Sequence, residues 1–215
     1  MSIINFTNDP NLSRKERERQ FKRKEILSAA CRIFADKGFD AATLDEIAEA
    51  SEYRKGTLYN YFQNKEDIYI ALLESILIEY ITVHERISEN SKNFYDYLMN
   101  MTVEIFNYSI SDENTFLLLM RMRRIPGGDL LFKNSEKVLN YLEKINTINS
   151  KYVNEAIASE QIRNIDVESF LVLYRNMTFS YIYNLKYCKN QENIDVHKEA
   201  SLLIDIIFNG IKNNS

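Results

Sequence analysis

Glycine and proline are nearly missing from this 215-residue chain: five glycines and two prolines, about 3% together against an average near 12%. Sandwiches and barrels need many turns marked by these residues, so their scarcity points to a mostly helical protein. Cysteine is scarce too. Cys31 and Cys188 lie far apart, with no C-x-x-C pair and no Cys/His cluster. That argues against a disulfide framework or a structural zinc site and makes a reducing cytoplasm the expected compartment. His84 and His197 are too isolated to suggest a metal. No signal-peptide h-region stands at the N-terminus. The most apolar window, Ile68–Val83, is broken by Glu74 and Glu79 and is too short for a bilayer. Gly127-Gly128 lacks the rest of any phosphate-loop fingerprint, and no G-x-S-x-G nucleophile motif occurs. The expectation is a soluble protein with no cofactor, no metal, no membrane partner and no enzymatic activity.

What is present is ordinary globular material, 45% hydrophobic and 27% charged, enough for a real core. At about 150 residues per domain, one or two domains are expected. The net charge of −4 is unevenly spread. Residues 1–65 hold twelve Lys/Arg against ten Asp/Glu, and the rest is acidic. Seven bases fall between Arg14 and Lys24, against Glu16 and Glu18. This arm reads either as the solvated start of a helix or as a contact for a polyanion.

The periodicity predicts a first helix from about Arg14. Ile26, Ala30, Ile33 and Phe34 share one face, Cys31 is a small core residue beside them, and Gly38 is an αL cap. Thr43-Leu44-Asp45-Glu46 is a capping box opening a short helix to about Ala50. Ser51-Glu52-Tyr53 breaks it. A second short helix spans about Arg54–Tyr61, and Asn64 caps a long amphipathic helix to about Ile87. Further helices are expected at roughly 91–110, 112–124, 130–159 (one, or two with a break), 166–188 and 195–212. Pro126-Gly127-Gly128 is the clearest interruption.

Two short helices joined by a tight turn form a helix-turn-helix. Taking about 100° per residue, Phe62 and Arg54 fall roughly 40° to either side of Leu58. Gly56 and Asn60 lie about 160° away, with Thr57 and Tyr59 at the sides. Leu58 and Phe62 therefore anchor the helix, and Gly56, Thr57, Tyr59 and Asn60 face outward, flanked by Arg54, Lys55, Tyr61 and Lys65. Gly56 lets backbone approach a duplex, the hydroxyls and amide can meet phosphates or base edges, and the lysines can neutralise phosphates. The alternative is a helical corner with a polar face.

The matched run is Ile26-Leu27-x-Ala29-Ala30, Phe34-Ala35-x-x-Gly38-Phe39, Ala42-Thr43-Leu44, Ile47-Ala48 and Lys55-Gly56-Thr57-Leu58-Tyr59-Asn60-Tyr61-Phe62-x-x-Lys65-Glu66. In this it resembles the N-terminal domain of TetR-family transcriptional regulators. The resemblance covers about residues 22–87. It implies an all-α homodimer with a three-helix DNA-binding domain and a larger C-terminal domain that dimerises and binds a small-molecule effector. Most such proteins are repressors. Carried over, Thr43, Arg54, Lys55, Gly56, Thr57, Tyr59, Asn60, Tyr61 and Lys65 are the DNA-binding candidates, and a double-stranded operator is the partner. Asn60 stands where the family often has His. Glu52 stands where the turn usually carries Gly. A left-handed Glu52 would be strained by about 1 kcal/mol, and its carboxylate is expected to point away from the duplex. The domains implied are a flexible 1–13, a helix-turn-helix domain at 14–64, a connecting helix at 65–88, and a ligand-binding and dimerisation domain at 89–215.

The C-terminal part offers less. Residues 166–188 are apolar nearly all round, which in a soluble protein points to a subunit interface. Phe170, Tyr174, Met177, Tyr181, Leu203, Ile207 and Ile211 are the interface candidates. Phe106, Phe116, Met120, Tyr174, Arg175 and Met177 are candidates to line an effector cavity. A partly buried Arg175 needs an anionic partner, either a ligand or a glutamate. Arg121, Arg123 and Arg124 read as a solvated helix end. The alternative function is a helical dimeric module that has lost specific DNA binding. Effector, operator and sign of regulation are not written in the sequence.

Overall fold

The first helix begins one step earlier in chemistry than its periodicity suggested. Ser13 accepts from the Glu16 N–H at 3.3 Å and its own N–H donates to the Glu16 carboxylate at 2.8 Å, a capping box legible in Ser13-x-x-Glu16. A computed structural model describes residues 12–123, 135–189 and 193–211. The expected ragged start at residues 1–11, the Pro126-Gly127-Gly128 break, Arg124 and the side chains of Met122, Arg123 and Ile211 lie outside the described residues. Among those described, every element is a helix: α1 (Arg14–Lys37), α2 (Leu44–Ala50), α3 (Lys55–Tyr59), α4 (Lys65–Asn90), α5 (Phe94–Ser111), α6 (Glu113–Arg123), α7 (Glu136–Ala158), α8 (Val167–Tyr183) and α9 (Val196–Ile211). A π-helical turn, Asn184–Cys188, continues α8. No helix among the described residues is long and apolar enough to cross a membrane.

The packing divides the chain into two units. One contains residues up to Tyr80 together with Ser111–Leu142, and the other contains Ile81–Ile110 and residues from Glu143 onward. The first unit is built on α1, whose Ile26, Leu27, Ala30 and Phe34 are fully buried with Ile47 of α2, Ile68 and Leu72 of α4 and Phe116 of α6. Tyr69 meets Phe34 edge-on at 5.0 Å and Phe39 at the same distance. Gly38 ends α1 at φ +82° and ψ 171°. This is not the expected αL cap, yet it is a conformation that favours glycine. Arg121 is exposed near the end of α6 as expected, but its guanidinium is not free. It donates to the carbonyls of Ala35 (2.6 Å) and Asp36, in the last turn of α1 where helix carbonyls lack internal partners. Cys31 is buried 3.5 Å from Thr115 Oγ1, and burial pushes its thiol up to about 12.

The second unit has a polar seam inside its apolar packing. His84 of α4 pairs through Nδ1 with the Tyr97 hydroxyl (3.2 Å), which donates to Asn149 of α7 (2.7 Å). Tyr97 stacks on Tyr152 at 4.4 Å. The Thr102 hydroxyl lies 2.9 Å from that of Tyr174. Helices α8 and α9 are tied by Tyr181 and Glu199, and α5 to α9 by Tyr95 and Asp205 (2.8 Å).

Candidate nucleic-acid interface

The α2–turn–α3 segment is held by its own backbone. Thr43 caps α2 in a reciprocal box with Glu46, as its spacing predicts. At the other end Glu52 adopts φ +59°. Its N–H donates to Glu49 O and the Tyr53 N–H to Ala48 O, both at 3.0 Å. These are the two bonds of a Schellman motif, with Glu52 at the left-handed position where glycine costs least. The turn therefore forms without glycine. From α1, Arg32 donates to the carbonyl of Ala50 (2.9 Å), and Glu25 accepts from the Tyr53 hydroxyl. These ties hold the turn against α1. Glu160, at φ +57°, repeats the motif at the end of α7.

Helix α3 is shorter than expected, because after Tyr59 the chain tightens into bonds from Asn60 N to Thr57 O (3.1 Å) and from Tyr61 N to Leu58 O (2.9 Å). Its orientation follows the angular reading. Leu58 and Phe62 are buried. Arg54, Lys55, Gly56, Tyr59 and Asn60 are exposed, Tyr59 to 53%, while Thr57 and Tyr61 are half-buried. A Cβ on Gly56 would meet nothing within 4 Å in the chain, so the space in front of it is open. Lys55 pairs with Asp45 at 2.9 Å across two exposed side chains. The Asp45 carboxylate raises the Lys55 ammonium above its ordinary value.

Two candidates have other partners. The Thr43 hydroxyl is engaged by Glu46, accepting its N–H and donating to its carboxylate at 2.9 Å. Lys65 departs furthest from expectation. Its ammonium donates to the carbonyls of Phe39 (2.7 Å), Ala42 (2.9 Å) and Asp40 (3.2 Å) and lies over the Phe39 ring. An ammonium has three N–H donors, and all three are used within the chain. Lys65 thus fastens the α1–α2 loop to the start of α4 and is not a free phosphate ligand. Asn64 caps that helix as expected, accepting from Asp67 N at 2.7 Å.

The effector and interface candidates are redistributed. Phe116 and Met120 are buried in the first unit, whereas Phe106, Tyr174, Arg175 and Met177 belong to the second. Arg175 is half-buried. Its guanidinium donates to Asn146 Oδ1 at 3.4 Å, and among the described residues it forms no ion pair. Phe170, Tyr174, Leu203 and Ile207 are buried in the chain's own core, and Tyr181 is held by Glu199, so these are not free interface residues. An all-apolar helix has two faces, and the sequence did not say which turns inward. The exposed apolar side chains are Val172, Leu173 and Met177 on α8 and Leu202 and Ile206 on α9.

A short exposed polar helix seated on a buried pair, behind a tight turn in a small helical unit, defines a helix-turn-helix DNA-binding protein. Residues 26–72 match the tetR family of bacterial regulatory proteins. The fatty acid metabolism regulator protein of Bacillus subtilis is 24% identical over 92% of this chain and 99% of its own. A negative transcriptional regulator of a biofilm operon from Staphylococcus epidermidis is 26% identical over 57% of this chain and 62% of its own. Among solved structures, a transcriptional regulator from Bacillus subtilis in complex with stearoyl-CoA superposes with a TM-score of 0.72 at 21% identity, covering 87% of this chain and 98% of that one. Residues 26–72 thus carry a segment of the tetR-family type, and over most of its length the chain is similar to transcription regulators.

Proposed function

We propose that the protein is a homodimeric repressor in the cytoplasm, released from its operator by a small amphiphilic effector of the fatty acyl class. The exposed Gly56–Asn60 face of α3, seated on buried Leu58 and Phe62, carries the DNA-binding part. Lys55 and Arg54 neutralise phosphates, Thr57, Tyr59, Asn60 and Tyr61 contact phosphates or base edges, and Gly56 admits close approach. Thr43 and Lys65 position this surface rather than touch DNA through their side chains. A module that has lost DNA binding is the weaker reading, because the turn closes with both Schellman bonds although Glu52 stands in place of glycine.

The effector class draws on the Bacillus subtilis relatives, a fatty acid metabolism regulator and a structure with stearoyl-CoA. The repressor sign draws on the staphylococcal relative. Within the second unit, Phe106 and Tyr174 supply apolar lining and Arg175, with no carboxylate partner among the described residues, the anion contact. Binding there biases α4, which begins directly after the helix-turn-helix, and so the spacing of two recognition helices about 34–36 Å apart.

Fluorescence anisotropy with duplex from upstream of the protein's own gene, against scrambled duplex, tests this. Selective binding with log K linear in log[salt] is expected. Stearoyl-CoA should weaken it roughly 5–150-fold, and Lys55→Ala/Tyr59→Ala should abolish selectivity. Equal binding of both duplexes, or a double variant that keeps selectivity, overturns the reading.

A further inference from the structure

The family match begins at residue 26, but α1 begins at Arg14. About three turns of α1 therefore stand in front of the matched segment, and residues Arg14–Arg19 are all exposed. They are a formed helix, not a loose tail, because the Ser13–Glu16 box caps them. That box also occupies Glu16, and Glu18 is occupied by Lys22 at 2.8 Å. Glu18 is thus offset by Lys22, and the Glu16 carboxylate keeps its charge but is turned back onto the Ser13 N–H. Among the described residues, Lys15 and Arg19 form no ion pair.

The bases are ordered by the helix. Lys15, Arg19, Lys22 and Ile26 recur at i, i+4, i+7 and i+11, within about 60° of one another. Ile26 is fully buried against the helix-turn-helix. The root of the arm lies against the end of the recognition segment: the Arg23 guanidinium sits 5.3 Å from the Phe62 ring centroid, and Glu25 holds the Tyr53 hydroxyl. From Ile26 to Lys15 the stripe runs roughly 16 Å at 1.5 Å per residue.

We propose that Lys15 and Arg19, on the stripe that Lys22 continues towards Ile26, form a second DNA-contacting surface that grips backbone phosphates flanking the site read by α3. The inference rests on the DNA-binding reading above. Phosphate contacts carry no sequence information, so the arm adds affinity and salt dependence without altering selectivity. A lipid surface is disfavoured because Phe21, 61% exposed, lies about 120° round the helix from Lys15, so apolar and basic groups do not share a face.

The test compares two double variants of the full chain with equal charge change. Lys15→Gln/Arg19→Gln removes the stripe; Arg17→Gln/Lys24→Gln removes two bases on the opposite side of the helix. Circular dichroism confirms that helix content is kept. For the stripe variant, the slope of log K against log[salt] should become shallower by about 1.8 on operator and scrambled duplex alike, with their affinity ratio unchanged. The control pair should leave the slope as it was. An unchanged slope for the stripe variant, or equal changes in both variants, overturns the arm while leaving the regulator reading intact. Failure of the intact chain to bind any duplex overturns both. Loss of binding to phosphatidylserine vesicles by the stripe variant, with its DNA slope unchanged, also overturns it.

Discussion

Glu52 and Glu160 show how far one residue can depart from its local rule when the surrounding bonds over-determine it. Each sits at a left-handed Schellman position that favours glycine, and each turn closes with two backbone bonds. His84 shows the reverse case, a polar residue that the environment strips of charge. Burial, with the Arg175 charge second, pushes its imidazole down to about 4, from 6.5. Because the folded value lies below the unfolded one, the unfolded chain binds the extra proton between these limits. The contribution is complete above about pH 6.5 and is lost as pH falls towards 4; it amounts to about 3 kcal/mol. Urea midpoints at pH 7, 6, 5 and 4 should show the native chain losing that much more stability than His84→Gln. Parallel curves for the two proteins would show that His84 is not the titrating group.

Elements were easier to read than their contacts. The capping box at Thr43, the cap at Asn64 and the Leu58/Phe62 anchor were legible because each rests on spacing within one helix. The Ser13 box rests on the same spacing, Ser13-x-x-Glu16. Tertiary ties left no such trace: nothing near Lys65 in sequence announces carbonyls at Phe39, Asp40 and Ala42, and nothing near Arg121 announces the end of α1. The two roles for Lys65 have different consequences. As a fastener it supplies charge-assisted bonds, so Lys65→Ala should cost about 2–3 kcal/mol and lower Tm by roughly 5–10 °C, with the DNA salt slope unchanged. An unchanged Tm together with a slope shallower by about 0.9 would restore it as a phosphate ligand.

At the scale of the molecule, α8 and α9 carry exposed apolar side chains. Leu173 and Ile206 are each 60% exposed and Leu202 51%, while their helix neighbours Tyr174, Leu203 and Ile207 are buried. Exposed aliphatics at i, i+4 spacing on both α8 and α9 are the pattern of faces that need a partner. A symmetric pairing through them would use the same patch twice, and it would set two α3 helices for two half-sites. Because these side chains touch solvent within one chain, charge placed there should not disturb its core. Leu173→Glu/Ile206→Glu should therefore sediment as a folded monomer with Tm largely kept, where the native chain should sediment as a dimer. Losing the second half-site removes the effective-concentration gain of bivalent binding, so operator affinity should fall by about 100-fold or more. A variant that remains dimeric places the interface elsewhere on the chain. A monomer with undiminished operator affinity shows that one helix-turn-helix suffices for binding.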